Sequence, residues 1–247
     1  MPTATDAQRE AGYFDELVRE RGEFNPFADR GWSNLARWFA EMVRPAAPSR
    51  VLDIGCGTGR SRCIYAPHAS SYIGIDLSVA ALRKARSEFP VDDWVGSDAR
   101  SLPFAAASFD VVSFSSVLHH IPDYRRALSE ALRVLRPGGR VFAFDPNLLH
   151  PAMALFRWPR SPFYIAEGVS PQEAPLLARS LRREFVAAGF ADVRQRAHSD
   201  LPYRAVAPRL LNAGLALYNA GDWLLARSGL GRWFGTFILT AGRAPEA

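Results

Sequence analysis

From Arg50 onward, short apolar runs alternate with helix-compatible stretches, and this alternation limits the possible folds more than any other feature of the chain. The runs fall at residues 51–54, 72–75, 93–95, 111–115, 140–144, 193–196 and 236–240, with helices expected after Gly59, Ser78, Pro122 and Pro175. Short strands joined by helices of about ten or more residues require right-handed crossovers, which cover both faces of the sheet. The expectation is an α/β fold: a doubly wound, mostly parallel seven-stranded sheet whose ligands bind beyond the carboxyl ends of the strands.

Two helices should precede the sheet. Apolar residues recur at helical spacing between Ala7 and Val43, with Phe14, Leu17 and Val18 in one group and Leu35, Trp38, Phe39 and Met42 in another. Pro45 and Pro48 stop the second helix. Two stretches break the alternation: residues 148–175, rich in proline and aromatics, and residues 201–234, mostly helical in pattern. The reading is one domain of 247 residues, with N-terminal helices at 1–48, a core at 50–147 and the two irregular segments forming a helical cap.

Composition narrows the functional classes. The apolar fraction is 48% and the charged fraction 22%, enough to build a core without disulfides or metals. A net charge of +5 raises the question of nucleic acid, but the basic residues are scattered arginines with a single lysine, Lys84, and form no stripe. A dedicated nucleic-acid partner is not expected. Cys56 and Cys63 are too few for a disulfide framework and lack zinc-site spacing. Charges at Asp6, Arg9, Glu10, Asp15, Glu16 and Arg19 interrupt any signal-peptide core, and apolar runs are too short to span a bilayer, so the expected location is cytoplasmic.

The chemistry concentrates after the first strand. Gly55, Gly57 and Gly59 stand at alternate positions directly behind an apolar run, where glycine allows a tight turn and close backbone approach to a ligand. A nicotinamide fingerprint would place its third glycine one residue later, at Arg60, so an oxidoreductase is the disfavoured reading. Asp76 ends the next strand about 20 residues on, the separation of a ribose-hydroxyl acceptor. It also suits the N-terminus of the helix beginning near Ser78. Asp98, after the third strand, is placed to accept a hydrogen bond from an amine such as that of adenine.

With these features in order, the chain resembles the class I S-adenosylmethionine-dependent methyltransferases, especially the branch similar to ubiquinone and menaquinone biosynthesis enzymes. The likeness includes the segment from Phe109 to Asp123, containing Ser115-Ser116-Val117-Leu118-His119-His120-Ile121-Pro122-Asp123, and the segment Leu135-Arg136-Pro137-Gly138-Gly139-Arg140 that runs on to Asp145. It departs mildly at Asp145-Pro146-Asn147. The resemblance implies a Rossmann-like sheet and S-adenosylmethionine as cofactor, with S-adenosylhomocysteine as product. It implies Asp53, Gly55, Gly57 and Gly59 around the methionine moiety, Asp76 and Leu77 at the ribose, Asp98 and Ala99 at the adenine, and Ser115 and Ser116 beside the sulfonium.

The same resemblance turns His120 toward a small methyl acceptor, with Asp145 orienting it as a general base. Adjacent histidines without a third ligand at familiar spacing do not form a metal site, and no metal is expected. Trp158, Phe163, Tyr164, Tyr203, Tyr218, Trp223 and Trp233 gather in the irregular segments, where an apolar cap would suit an apolar or aromatic acceptor. The amphipathic 201–234 insertion also suits a membrane surface or a second copy of the chain. A lipid, saccharide or tRNA acceptor, or a cofactor-binding regulator without turnover, are the competing readings.

Overall fold

The computed structural model describes residues 4–22, 27–46, 48–204 and 209–246. Two helices, α1 (Ala4–Arg21) and α2 (Asp29–Val43), precede the sheet. The strands are β1 (Ser49–Ile54), β2 (Ala69–Asp76), β3 (Asp93–Gly96), β4 (Phe109–Ser115), β5 (Leu135–Pro146), β6 (Ala191–His198) and β7 (Phe237–Arg243). They form one sheet in the order β3-β2-β1-β4-β5-β7-β6. β1 pairs in parallel with β2 and β4, whereas β7 runs antiparallel between β5 and β6. The order reverses direction at β1 and β4, so the loops after these strands diverge and open a crevice at their carboxyl ends.

Helices cover both faces, and period-two alternation in the strands explains how. Leu52, Val112, Val141 and Ala143 enter one core with Leu128 and Val134 of α5 (Tyr124–Val134) and Leu181 and Phe185 of α7 (Ala178–Ala187). Their chain neighbours Val51, Val111, Phe142 and Phe144 enter the other, with Leu35 and Phe39 of α2, Ile64 and Tyr65 of the short α3 (Arg62–Tyr65), and Leu82 of α4 (Val79–Glu88). Strands buried on both faces read as the unbroken apolar runs seen in the sequence. The Ser78 side chain caps α4 by accepting from Ala81 N at 3.1 Å, which fixes where β2 ends and the helix begins.

β5 departs from expectation by starting at Leu135 rather than Arg140. Pro137-Gly138-Gly139 reads as a turn, but Leu135 already pairs with Phe109, and the register shift between Phe109 and Val111 absorbs the irregular stretch. The cap comprises α6 (Pro151–Phe156) with the loops around it, followed later by α8 (Leu215–Arg227) and α9 (Gly231–Phe234). No helix of the described residues is long and apolar enough to cross a membrane.

Candidate active site

The three glycines after β1 do different jobs. Gly55 N and Cys56 N donate to Ile75 O at 2.9 and 3.1 Å, tying the turn to the end of β2. Gly57 has φ of +53°, and a Cβ built there would meet nothing within 4 Å among the described residues, so its backbone faces open cavity. Gly59 has φ of +85°, but a Cβ there would strike the Trp94 ring at 2.8 Å and the Phe89 ring at 3.0 Å. Gly59 was expected near the methionine moiety. It lies off the cavity wall and is needed for packing, because only a residue without a side chain lets the turn pass over these two rings.

Asp53 also moves away from its expected place. It is fully buried, and it accepts hydrogen bonds from Ser61 Oγ at 2.6 Å, Tyr72 Oη at 2.7 Å and Ser115 Oγ at 2.5 Å. Burial raises its pKa to about 6 against the opposing pull of those three donors. It is not among the residues lining the cavity. Asp53 therefore joins β1, β2 and β4 from within, and sets the position of Ser115, which does reach the wall.

Asp76 holds two elements together at the cavity wall. Its Oδ2 accepts from Gly57 N and its Oδ1 from Ser78 N, both at 2.9 Å, so it braces the glycine turn and the start of α4 together. It also lines the cavity. Burial raises its pKa, opposed by those backbone donors. A carboxylate has about four lone-pair sites, so two backbone bonds leave capacity for a ligand's hydroxyls. Asp98 lines the same cavity with Leu77 and Ala99, and it is held by Arg100, with Nε to Oδ1 at 3.0 Å and Nη2 to Oδ2 at 2.6 Å. Burial would raise the Asp98 pKa, but the bonds from Arg100 outweigh it and hold the carboxyl below its usual value. Ser116, also on the wall, adopts φ of +55°, a conformation uncommon outside glycine, and donates its N–H to Phe144 O at 3.0 Å.

The histidines correct a pairing. Asp145, fully buried at the end of β5, bonds His119 and not His120: its Oδ1 lies 2.9 Å from His119 Nδ1 and 3.2 Å from His119 N. Burial lowers the His119 pKa, followed by the charge of His120, with Asp145 pulling the other way. His120 Nδ1 instead lies 2.8 Å from Ser170 Oγ and 2.9 Å from Glu10 Oε1. The two residues share a single 3-10 turn, Leu118–His120. Their rings lie against each other with centroids 3.9 Å apart and both line the cavity, while the Nδ1 atoms find different partners, Asp145 for His119 and Glu10 with Ser170 for His120.

Glu10 is the residue that sequence reasoning missed. It is 5% exposed, accepts from Gln172 N at 3.0 Å and from Ser170 Oγ, and so ties α1 to the cap and to His120. Phe14, one helical turn on, packs edge-on against the His120 ring at 5.2 Å. The available signal was the placement of Glu10 with Phe14 and Leu17 on one helical face.

All of these walls enclose one cavity of about 590 Å³, to which the cap contributes Met153, Phe156, Tyr203 and Tyr218. Of the cap aromatics singled out from sequence, Tyr203 and Tyr218 line it, whereas Trp158, Phe163, Trp223 and Trp233 lie exposed on the outside.

Comparison with known proteins identifies the family. A family profile described as "Methyltransferase domain" matches residues 52–143. The demethylmenaquinone methyltransferase of Beutenbergia cavernae is 32% identical over 94% of this chain and 100% of its own length. That of Renibacterium salmoninarum is 30% identical over 85% of this chain and 90% of its own. Phosphoethanolamine N-methyltransferase 2 of Haemonchus contortus, solved with S-adenosyl-L-methionine, shares the fold at a TM-score of 0.66 and 19% identity, covering 95% of this chain and 56% of that one. The sheet order, the glycine turn with its acid at the end of β2, and these two near full-length relatives place the chain in the class I S-adenosylmethionine-dependent methyltransferases, enzymes that transfer methyl groups.

Proposed function

We propose that the chain transfers the methyl group of S-adenosylmethionine to a small apolar or aromatic acceptor beneath the cap, with His120 as general base. The observation that carries this reading is that one cavity joins Gly57, Asp76 and Asp98 to His120 and the aromatic cap. The cofactor fits what the walls offer. Gly57 presents bare backbone to open space, and the buried Thr58 Oγ1 on the same wall has no hydrogen-bond partner among the described residues. Asp76 and Leu77 would hold the ribose, Asp98 and Ala99 the adenine, and Gly55, Gly57, Ser115 and Ser116 the methionine portion. When bound, the cofactor supplies an electrophilic methyl group on a sulfonium.

The protein's share of the chemistry is to position and to move a proton. Glu10, facing Nδ1, favours the tautomer that carries its proton there, which leaves Nε2 as the proton acceptor. The same carboxylate stabilises the imidazolium once His120 has taken the acceptor's proton. Demethylmenaquinone, named in both curated relatives, belongs to the apolar aromatic class that Phe14, Phe156, Tyr203 and Tyr218 suit.

Calorimetry with S-adenosylhomocysteine and single-turnover methylation of a demethylmenaquinone-type acceptor test the reading. His120→Ala should slow the chemical step roughly a hundredfold or more, and Glu10→Gln about tenfold, with cofactor affinity unchanged in both. Wild-type chemical rates in both variants would remove the pair from catalysis. Cofactor binding with no turnover on any apolar acceptor would favour a regulatory protein.

A further inference from the structure

The outer side of the cap carries an unusual surface. Residues 146–166 contain no aspartate or glutamate, and residues 201–236 contain one, Asp222. Asp222 is buried and committed, accepting from Asp200 N at 2.7 Å, Leu201 N at 3.3 Å and Thr236 Oγ1 at 2.5 Å. Helix α8 therefore has Arg227 as its only exposed charge. Its inner side supplies Leu215 and Tyr218 to the cavity. Its outer side leaves Leu217 80% and Leu224 59% exposed, and Trp233 of α9 is 60% exposed. A helix apolar on nearly every side needs an apolar environment on its outer face as well.

The 148–163 stretch extends the patch with exposed Leu149, Leu155, Trp158 and Phe163. It is joined to α8 and α9 by Asn147 Nδ2, which donates to Trp233 O at 3.2 Å and Gly235 O at 2.8 Å, and by the His150 ring 5.7 Å from Tyr218. Charge identifies the occupant. Arg160, Arg227 and Arg232 are exposed among these apolar side chains, and the guanidinium groups of Arg227 and Arg232 lie over the Trp223 and Trp233 rings at 3.8 and 5.4 Å. A two-fold contact of this face with itself would set arginine against arginine, with no exposed acid in either segment to neutralise them. An anionic lipid surface supplies both the apolar layer and the phosphates.

We propose that the outer face of the cap, formed by α8, α9 and the 148–163 stretch, docks on the surface of an anionic lipid bilayer. Leu217, Leu224, Trp233 and Phe163 enter the boundary between headgroups and acyl chains, while Arg160, Arg227 and Arg232 meet the phosphates. This docking does not depend on which acceptor is methylated.

Co-sedimentation with vesicles tests it, comparing phosphatidylcholine alone with an equal mixture of phosphatidylcholine and phosphatidylglycerol. The wild-type chain should bind the mixed vesicles about tenfold or more tightly, and raised salt should weaken that binding. Leu217→Gln with Leu224→Gln, and separately Arg227→Gln with Arg232→Gln, should each reduce it about tenfold while leaving the melting temperature and S-adenosylhomocysteine affinity unchanged. The arginine pair keeps the test valid if the leucine pair disturbs folding. Absence of binding to the mixed vesicles, or equal binding by the arginine variant, would overturn the proposal. So would a concentration-dependent dimer in sedimentation velocity that the leucine variant abolishes, because a second copy would then cover the face.

Discussion

The half of the cavity at the strand ends and the cap over it are built on opposite principles. Around the ends of β1, β2 and β4, key wall residues are braced from behind: Asp76 by two backbone N–H groups, Ser115 by buried Asp53, and the glycine turn by the carbonyl of Ile75. The cap, with α1 set against it, depends on a few long-range polar links such as Glu10 to Ser170 and His120. The first arrangement presents a preset surface for a cofactor. The second can vary its lining without disturbing the sheet, which suits the acceptor pocket proposed above.

The largest predicted effect separates glycines that the sequence makes look equivalent. Gly59→Val forces a branched residue into a left-handed conformation and onto the Trp94 ring, and should destabilise the fold by about 4 kcal/mol in urea unfolding. Gly57→Val meets no such neighbour and should cost about half as much in stability, while abolishing measurable S-adenosylhomocysteine binding. If both lose the same stability, the distinction between a packing glycine and a cradle glycine is wrong.

Next in size is a pH effect where sheet and cap meet. His198 ends β6, and its Nε2 accepts from the Trp38 indole N–H at 2.9 Å, a bond that only an unprotonated nitrogen can take. Burial first, then the charges of Arg196 and Arg37, lower its pKa from 6.5 to about 4. As pH falls below 6.5 the unfolded chain takes up a proton that the folded chain refuses until about 4, so stability present at neutral pH is lost across that window. The loss should approach about 3 kcal/mol. His198→Gln keeps an acceptor for Trp38 without titrating, and should flatten the melting-temperature profile between these limits; an unchanged slope would assign the effect elsewhere.

The smallest effect concerns the braced half alone. Asp76→Ala should weaken S-adenosylhomocysteine binding by about 2 kcal/mol in calorimetry, the loss of charged hydrogen bonds to ribose. Unchanged affinity in a folded variant would leave Asp76 only its brace of the Gly57 turn and α4.

The seven strands, the glycine turn and the acids after β2 and β3 were legible because their signals are local: period-two burial, an apolar run ending in glycine, a carboxylate at a strand terminus. Local signals also made Gly59 resemble Gly57 and Asp53 resemble Asp76, since sequence spacing does not record whether a ring or a cavity lies beyond the Cα. Which histidine Asp145 holds was decided in three dimensions, because the two rings pack 3.9 Å apart on one 3-10 turn and differ only in the partner each Nδ1 meets, 26 residues later for His119 and 110 residues earlier for His120. The same holds for Glu10 as a wall of the site and for the outward-facing tryptophans of the cap. A chain's periodicity states which side of its own element a residue occupies; only tertiary packing states what stands opposite.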